Sequence, residues 1–276
     1  MKKLFLSSIL ITGLFASEIQ FGKGNFNIDA KFLGLSSSKS ENITSISLVN
    51  EHKNIFSSNF FYSYKLAYFK SNTITTSANY LSSILKYSPI SYTNNFLIYN
   101  KLRGIDLNVV LGRDIINKDD KDTYLGVGLL VGASFPYLKT SSSSNNNTID
   151  YLKKSKTKFY TYKLGASIKA EKAFNSFFNI YASGAYAKQK AKIKNSVLNL
   201  DSSSDGDYFS FNVGAKFQAK TKTKIWFITL LPSLFVTAGY RYDYWKVNNV
   251  KINSLALKTD IKLKISQAYV GLGYDF

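Results

Sequence analysis

Apolar side chains recur at every second position along almost the whole chain. In "FNIDAKF", Phe26, Ile28, Ala30 and Phe32 share one face and Asn27, Asp29 and Lys31 the other. In "FFYSYKLAYF", Phe60, Tyr62, Tyr64, Leu66 and Tyr68 oppose Phe61, Ser63, Lys65, Ala67 and Phe69. "IDLNVVL" at 105–111, "LGVGLLVGASF" at 125–135, "YTYKLGASIKA" at 160–170 and "FSFNVGAKF" at 209–217 repeat the pattern. Period two marks strands with one apolar and one polar face. The runs are long, roughly 11 to 15 residues against about 5–6 in ordinary sheets. After the first seventeen residues no apolar run is long enough for a membrane-spanning helix.

A two-sheet sandwich also alternates, with its apolar face turned to a shared core. In a membrane barrel the apolar face meets lipid and the small, polar face lines the bore. Strand length favours the barrel. So do aromatics gathered near strand ends, at Tyr160 and Tyr162 and in "YRYDYW" (Tyr240, Tyr242, Tyr244, Trp245), where interfacial girdles sit. The last nine residues, "AYVGLGYDF", add a third sign. Ala268, Val270, Leu272, Tyr274 and Phe276 share one face, with Gly271 and Gly273 on the other. This stretch resembles the C-terminal β-signal of bacterial outer-membrane barrels, which ends in Phe after alternating apolar residues. The resemblance implies that the barrel-assembly machinery reads these residues, and that the last strand pairs with the first. Such closure removes the free edges that lipid cannot satisfy.

The start of the chain agrees. "MKKLFLSSILITGLFAS" has Lys2 and Lys3 before a short apolar stretch and small residues at Ala16 and Ser17, the pattern of a secretory signal. The expected organisation is a signal peptide at 1–17 and a single barrel domain at 18–276, in the outer membrane of a Gram-negative bacterium. The chain has no Cys, which excludes a disulfide scaffold, a Cys-ligated zinc site and a lipid-modified N-terminus. An aromatic content of 16% excludes a disordered chain. The net charge of +19 is spread over the whole length of an exported chain. It therefore points to outer-membrane lipid, lipopolysaccharide or small anionic solutes rather than nucleic acid. Oligomeric state is not readable.

Strands are expected near 24–36, 42–51, 57–70, 103–115, 122–136, 157–170, 177–188, 207–219, 228–245 and 261–276, in an antiparallel up-and-down barrel. Compact turns at 50–54, 117–122, 171–176 and 219–224 fall on the periplasmic end. Longer, Ser/Asn/Lys-rich segments at 139–156, 188–207 and 246–260 fall on the other. Ten strands leave 71–102 without a role. Tyr80, Leu81, Ile84 and Leu85 have helical spacing, which allows a short helix near 77–87; a further hairpin from 74–87 and 92–100 would make twelve strands. The last strand holds a conflict, because Ile261, Leu263 and Ile265 are odd-numbered whereas the lipid-facing set from 268 is even. A bulge near Ser266–Gln267 is the favoured reconciliation. Otherwise Lys262 and Lys264 point outward above the bilayer, towards lipopolysaccharide phosphates.

With apolar faces to lipid, the lumen receives Asp29, Lys31, Lys65, Asp106, Lys163, Lys169, Lys216, Arg241 and Asp243. A basic bore of this kind favours anions if water passes; if the charges pair across a filled interior, the barrel is closed. The function expected is a narrow anion-preferring pore or a closed structural barrel. The alternative is a surface adhesin or receptor acting through loops 137–156 and 188–206. Catalytic residues, metal ligands and cofactors are not expected. The sole histidine, His52, lies in a turn at the periplasmic end, so no Ser–His–acid set forms at the outer rim. Asp201, Asp205 and Asp207 lack the spacing of a calcium loop.

Overall fold

The computed structural model of the chain describes residues 17–32, 35–55, 58–77, 97–116, 122–142, 156–175, 177–195, 200–218, 223–225, 228–230, 233–252 and 257–274. Residues 1–16 of the expected signal peptide, the 77–87 segment beyond Ser77, and Phe276 lie outside these residues. In chain order the strands are β1 (Ser17–Phe32), β2 (Leu35–Ile55), β3 (Phe60–Ser71), β4 (Ile74–Ser77), β5 (Leu97–Asp114), β6 (Thr123–Ser134) and β7 (Tyr137–Ser142). They continue with β8 (Lys156–Ala173), β9 (Phe178–Asn195), β10 (Leu200–Gln218), β11 (Thr223–Ile225), β12 (Ile228–Leu230), β13 (Leu234–Ile252) and β14 (Leu257–Tyr274). All pairings are antiparallel, and β1 pairs with both β2 and β14, closing the ring.

The wall has ten staves. β4 continues β3 upward against β5, and β7 continues β6 past Phe135 and Pro136 to pair with β5 and β8. The extra hairpin considered for 74–87 and 92–100 is thus represented by β4 against the start of β5, a lengthening of one hairpin rather than two further staves. The strands also run further than their sequence pattern suggests. Residues 188–195 and 200–206, read as loop, are paired strand with only 196–199 between them. Likewise β13 reaches Ile252 and β14 begins at Leu257. The connection after β10 is not a compact turn, since it carries the separate β11–β12 hairpin.

Following hydrogen-bonded partners from Glu18 through Val49, Lys65, Asn108, Gly132, Lys163, Gln189, Gly206, Val247 and Ile261 returns to β1 at Ala30. One circuit therefore climbs twelve residues, from position 18 to position 30. With ten strands, this stagger sets a tilt of about 40° and a backbone diameter of roughly 20 Å.

Polarity along the staves explains both the fit and the misfits of the sequence pattern. Near the termini the barrel is inside-out. Ile19, Phe21, Leu129, Leu164, Ile168, Val270 and Leu272 are exposed on the outside, while Gln20, Ser47, Lys163, Thr237 and Arg241 are buried inside. On β10 the outward apolar run from Phe217 to Phe209 spans about 20 Å along the axis at this tilt. Beyond it each strand keeps its alternation but exchanges the chemistry of its faces. On β14, Leu263 and Ile265 turn inward into an apolar core with Phe26, Ile43, Phe69, Leu102 and Trp245. Lys262 and Lys264 then lie outward.

The exchange removes the need for a bulge at Ser266–Gln267. Register is continuous there against both neighbours, and the only shift in the β13–β14 pair lies between Val247 and Val250. Above the lipid the barrel is an ordinary water-facing protein, so apolar residues belong inside.

Candidate functional site

The bore holds polar side chains in tiers, each tier supplied by inward positions of several strands. The outermost is an ionic knot. The Lys163 Nζ donates to Asp106 Oδ1 at 2.5 Å. Lys65 bridges Asp106 at 3.8 Å and Asp243 at 3.4 Å. Asn108 Nδ2 and the Ser134 hydroxyl also donate to Asp106, the former at 2.7 Å. The Tyr208 hydroxyl donates to Asp243 at 2.8 Å, and Trp245 Nε1 donates to Ser134 Oγ at 3.2 Å. Lys163 sits 3.9 Å from the Tyr208 ring centre. Burial makes this arrangement costly to break, because Asp106 and Lys163 are each only 2% exposed and Tyr208 is fully buried. A charge so placed must be paired and hydrogen-bonded.

A middle tier joins Arg241 to Gln20 and Ser47, and Glu18 to Gln20 and Thr237. Beside it Tyr181 and Tyr269 share a hydrogen bond of 2.6 Å, and Tyr269 donates to Asn212. At the rim near the termini, Lys169 pairs with Glu51, and Lys53 with Glu171 at 2.7 Å. A cavity of about 450 Å³ runs from this rim to the knot, lined among others by Glu51, Lys169, Arg241, Tyr208 and Asp243. Beyond the knot lies the apolar core.

Of the nine residues assigned to the lumen, Lys65, Asp106, Lys163, Lys169, Lys216, Arg241 and Asp243 lie on inward faces, and Lys216 lies 4.0 Å from the Phe235 ring centre. Asp29 is corrected. It faces outward and pairs with Lys264 at 3.6 Å, because β1 has already crossed into the zone where apolar Phe26 turns inward. The Lys31 side chain lies outside the described residues. The interior is also less basic than its lysines imply, since Lys65, Lys163 and Lys169 each meet a carboxylate.

Among the aromatics, Tyr162 and Tyr240 are exposed on the outer face, Tyr160 packs edge-on to Phe135, and Tyr242 packs on Phe209. Tyr244 is half-buried, opposite Phe209 on β10. Trp245 is corrected from the girdle to the interior, 5% exposed and stacked 5.4 Å from Tyr208. In the terminal segment, Ala268, Val270 and Leu272 lie outward on β14, whose pairing with β1 begins at Gly273. Among the outer carboxylates, Asp201 meets Lys192 and Lys194, and Asp207 meets Lys188. His52 lies at the inner rim, its ring 5.0 Å from that of Tyr62.

Sequence reasoning missed Glu18, Gln20, Glu51, Glu171, Tyr208 and Trp245 as interior residues. Parity alone would have found three of them: Tyr208 shares it with Lys216, Trp245 with Arg241 and Asp243, and Glu171 with Lys163 and Lys169.

No protein-family model matches the chain, and no curated protein matches it. Among solved structures it is similar to the outer-membrane protease OmpT of Escherichia coli, at 9% identity over 95% of this chain and 97% of that one, with a TM-score of 0.49. It is also similar to Neisserial surface protein A, at 13% identity over 94% and 97% with a TM-score of 0.31. A third is the translocator domain of the autotransporter NalP of Neisseria meningitidis, at 11% identity over 100% and 95% with a TM-score of 0.38. A protease stands among these similar barrels, so the expectation of a non-enzymatic chain is corrected: this fold does not by itself exclude an enzyme. Ring closure, an outward apolar band and a polar bore leave one environment in which every face is matched. The chain is a transmembrane β-barrel protein of the bacterial outer membrane.

Proposed function

We propose that this is a barrel closed to bulk flow, inserted with its termini in the periplasm, that acts at its extracellular end as a surface-binding module. The observation that carries this reading is the filled bore. A knot of buried charges is followed by a packed apolar layer, and both lie across the interior among the described residues. Ten staves stand close to the roughly eight at which side chains just fill the interior and far below the roughly sixteen of open channels, and the cavity of about 450 Å³ lies on the side of the knot nearer the termini. The long paired walls of β8, β9 and β10 above the lipid band then form the surface presented to the outside.

Planar-bilayer recording of the pure folded protein tests this. The intact barrel gives no steady conductance steps, and thinning the apolar layer by Phe69→Ala with Trp245→Ala produces them. Stable anion-selective channels from the unaltered protein would instead establish the narrow pore.

A further inference from the structure

On the outer wall just beyond the apolar band, cations are distributed unevenly around the ring. From β9 through β14 to β1 acids stand among them: Lys188 meets Asp207 at 2.6 Å, Lys246 meets Asp260 at 4.0 Å, Lys264 meets Asp29 at 3.6 Å, and Lys262, opposite Lys246, is itself opposite Asp29. The flank formed by β3, β5, β7 and β8 is different. Its outward positions in the same zone carry Lys70, Lys101, Arg103, Lys139, Lys156 and Lys158, and no carboxylate pairs with them among the described residues.

Several of these cations are direct cross-strand neighbours. Lys70 is opposite Arg103, Lys101 opposite Lys139, and Lys139 opposite Lys156. Like charges placed directly opposite one another destabilise a sheet. Lys246 and Lys262 on the other flank are also opposed, but Asp260 and Asp29 stand beside them. Here three such pairings follow in succession with no carboxylate paired to them among the described residues, and a bound anion would relieve the repulsion.

The depth of the flank identifies that anion. Lys70 lies two residues beyond Tyr68, and Arg103 stands two residues closer than Ile105 to the extracellular end of β5; Tyr68 and Ile105 are 44% and 45% exposed on the lipid face. Two residues rise only about 5 Å along the axis of a barrel tilted this way. Lys70 and Arg103 therefore stand at headgroup height, while Lys158 and Lys156 lie four and six residues beyond exposed Tyr162 on β8, about 10 and 15 Å higher, with the Tyr137 ring 3.8 Å from Lys156. Cations above an aromatic edge suit a phosphate carried by a lipid, which brings acyl chains to the apolar band beneath.

We infer that the β3–β8 flank is a binding surface for phosphorylated glycolipid of the outer leaflet, held by Lys70, Lys101, Arg103, Lys139, Lys156 and Lys158. The opposite flank, where Asp29, Asp207 and Asp260 stand among the lysines, is not. This asymmetry is independent of whether the bore conducts.

The test uses the full barrel in phosphatidylcholine nanodiscs containing bisphosphorylated lipid A, with retained lipid counted by native mass spectrometry. Replacing Lys101, Arg103, Lys139 and Lys158 by Gln lowers retention, by about fivefold for each cation removed. Lys246→Gln with Lys264→Gln leaves retention unchanged, and dephosphorylated lipid A is not selected. Heat-modifiable gel mobility reports folding of each variant; if the fourfold variant does not fold, Lys139→Gln and Lys158→Gln singly carry the test. Equal retention by the flank variants, equal loss from the control pair, or equal retention of dephosphorylated lipid overturns the inference. So does a soluble sulfated polysaccharide that binds the same four residues and displaces lipid A, which would make the flank a receptor for a free polyanion.

Discussion

Replacing Asp106 by Ala removes the acceptor on which the outer ionic knot converges. Lys163, 2% exposed, loses its 2.5 Å partner and is left against the rings of Tyr208 and Trp245, at 3.9 and 5.7 Å. Lys65 keeps Asp243 at 3.4 Å, so the damage centres on one buried ammonium and on the donors Asn108 and Ser134. Removing one partner of a buried pair costs about 3–5 kcal/mol. Replacing both by apolar groups costs far less, leaving mainly two lost hydrogen bonds at about 1 kcal/mol each. Lys163→Met added to Asp106→Ala should thus recover about 2 kcal/mol, a second mutation that stabilises. Urea unfolding in detergent micelles or lipid vesicles, followed by tryptophan fluorescence, measures all three variants. If Asp106→Ala lies within about 1 kcal/mol of the unaltered protein and the second change merely adds to it, water fills the knot and the closed-barrel reading fails.

Two other predictions probe the wall. Leu164→Lys, at a position 59% exposed on the outer face, costs about 2–4 kcal/mol if that face meets acyl chains, whereas a soluble sheet would tolerate it; unfolding in vesicles distinguishes the two. Gly24 lies where β1 meets β14, and a Cβ there would stand 1.9 Å from the Ser266 carbonyl oxygen and 2.5 Å from Gln267 Cα. Gly24→Ala therefore forces the closing seam apart at a cost of about 1–3 kcal/mol, read as a lower temperature for loss of the compact gel band. An unchanged transition would mean that the seam is looser than its pairing.

The alternation of single strands was legible because a strand's two faces differ by one residue, so Tyr162 and Lys163 cannot both face lipid. Legibility failed where the surroundings changed along a strand. Asp29 and Trp245 were misplaced because each lies past the point where lipid gives way to water. In the Ile261–Ile265 stretch the same change showed as a break in parity, for which a bulge was favoured over the outward lysines that the structure has. A sequence marks that point only weakly, because apolar residues occur on both sides of it and merely change faces. Glu51 and Glu171 were lost for another reason: charged residues near a turn look solvated, and only closure of the ring brings them to Lys169 and Lys53 across the bore. The partners of Asp106 came from distant strands, so the residue was visible but its knot was not.

The exchange of faces has a mechanical consequence for the surrounding bilayer. On β3 and β9 the outer side chains pass from Tyr68 to Lys70 and from Tyr186 to Lys188 within a single two-residue step. The twelve-residue stagger is locked by every hydrogen-bonded pair, so the staves cannot change slope independently to suit a thicker film. A vertical shift of one step would either draw ammonium groups among the acyl tails or lift hydrocarbon side chains into water. Nearby lipids must adapt instead, thinning or stretching to a height dictated by protein, at fractions of a kcal/mol per Å. Molecules with matching spans would then gather beside it, giving this barrel an influence on lateral order that needs no specific contact.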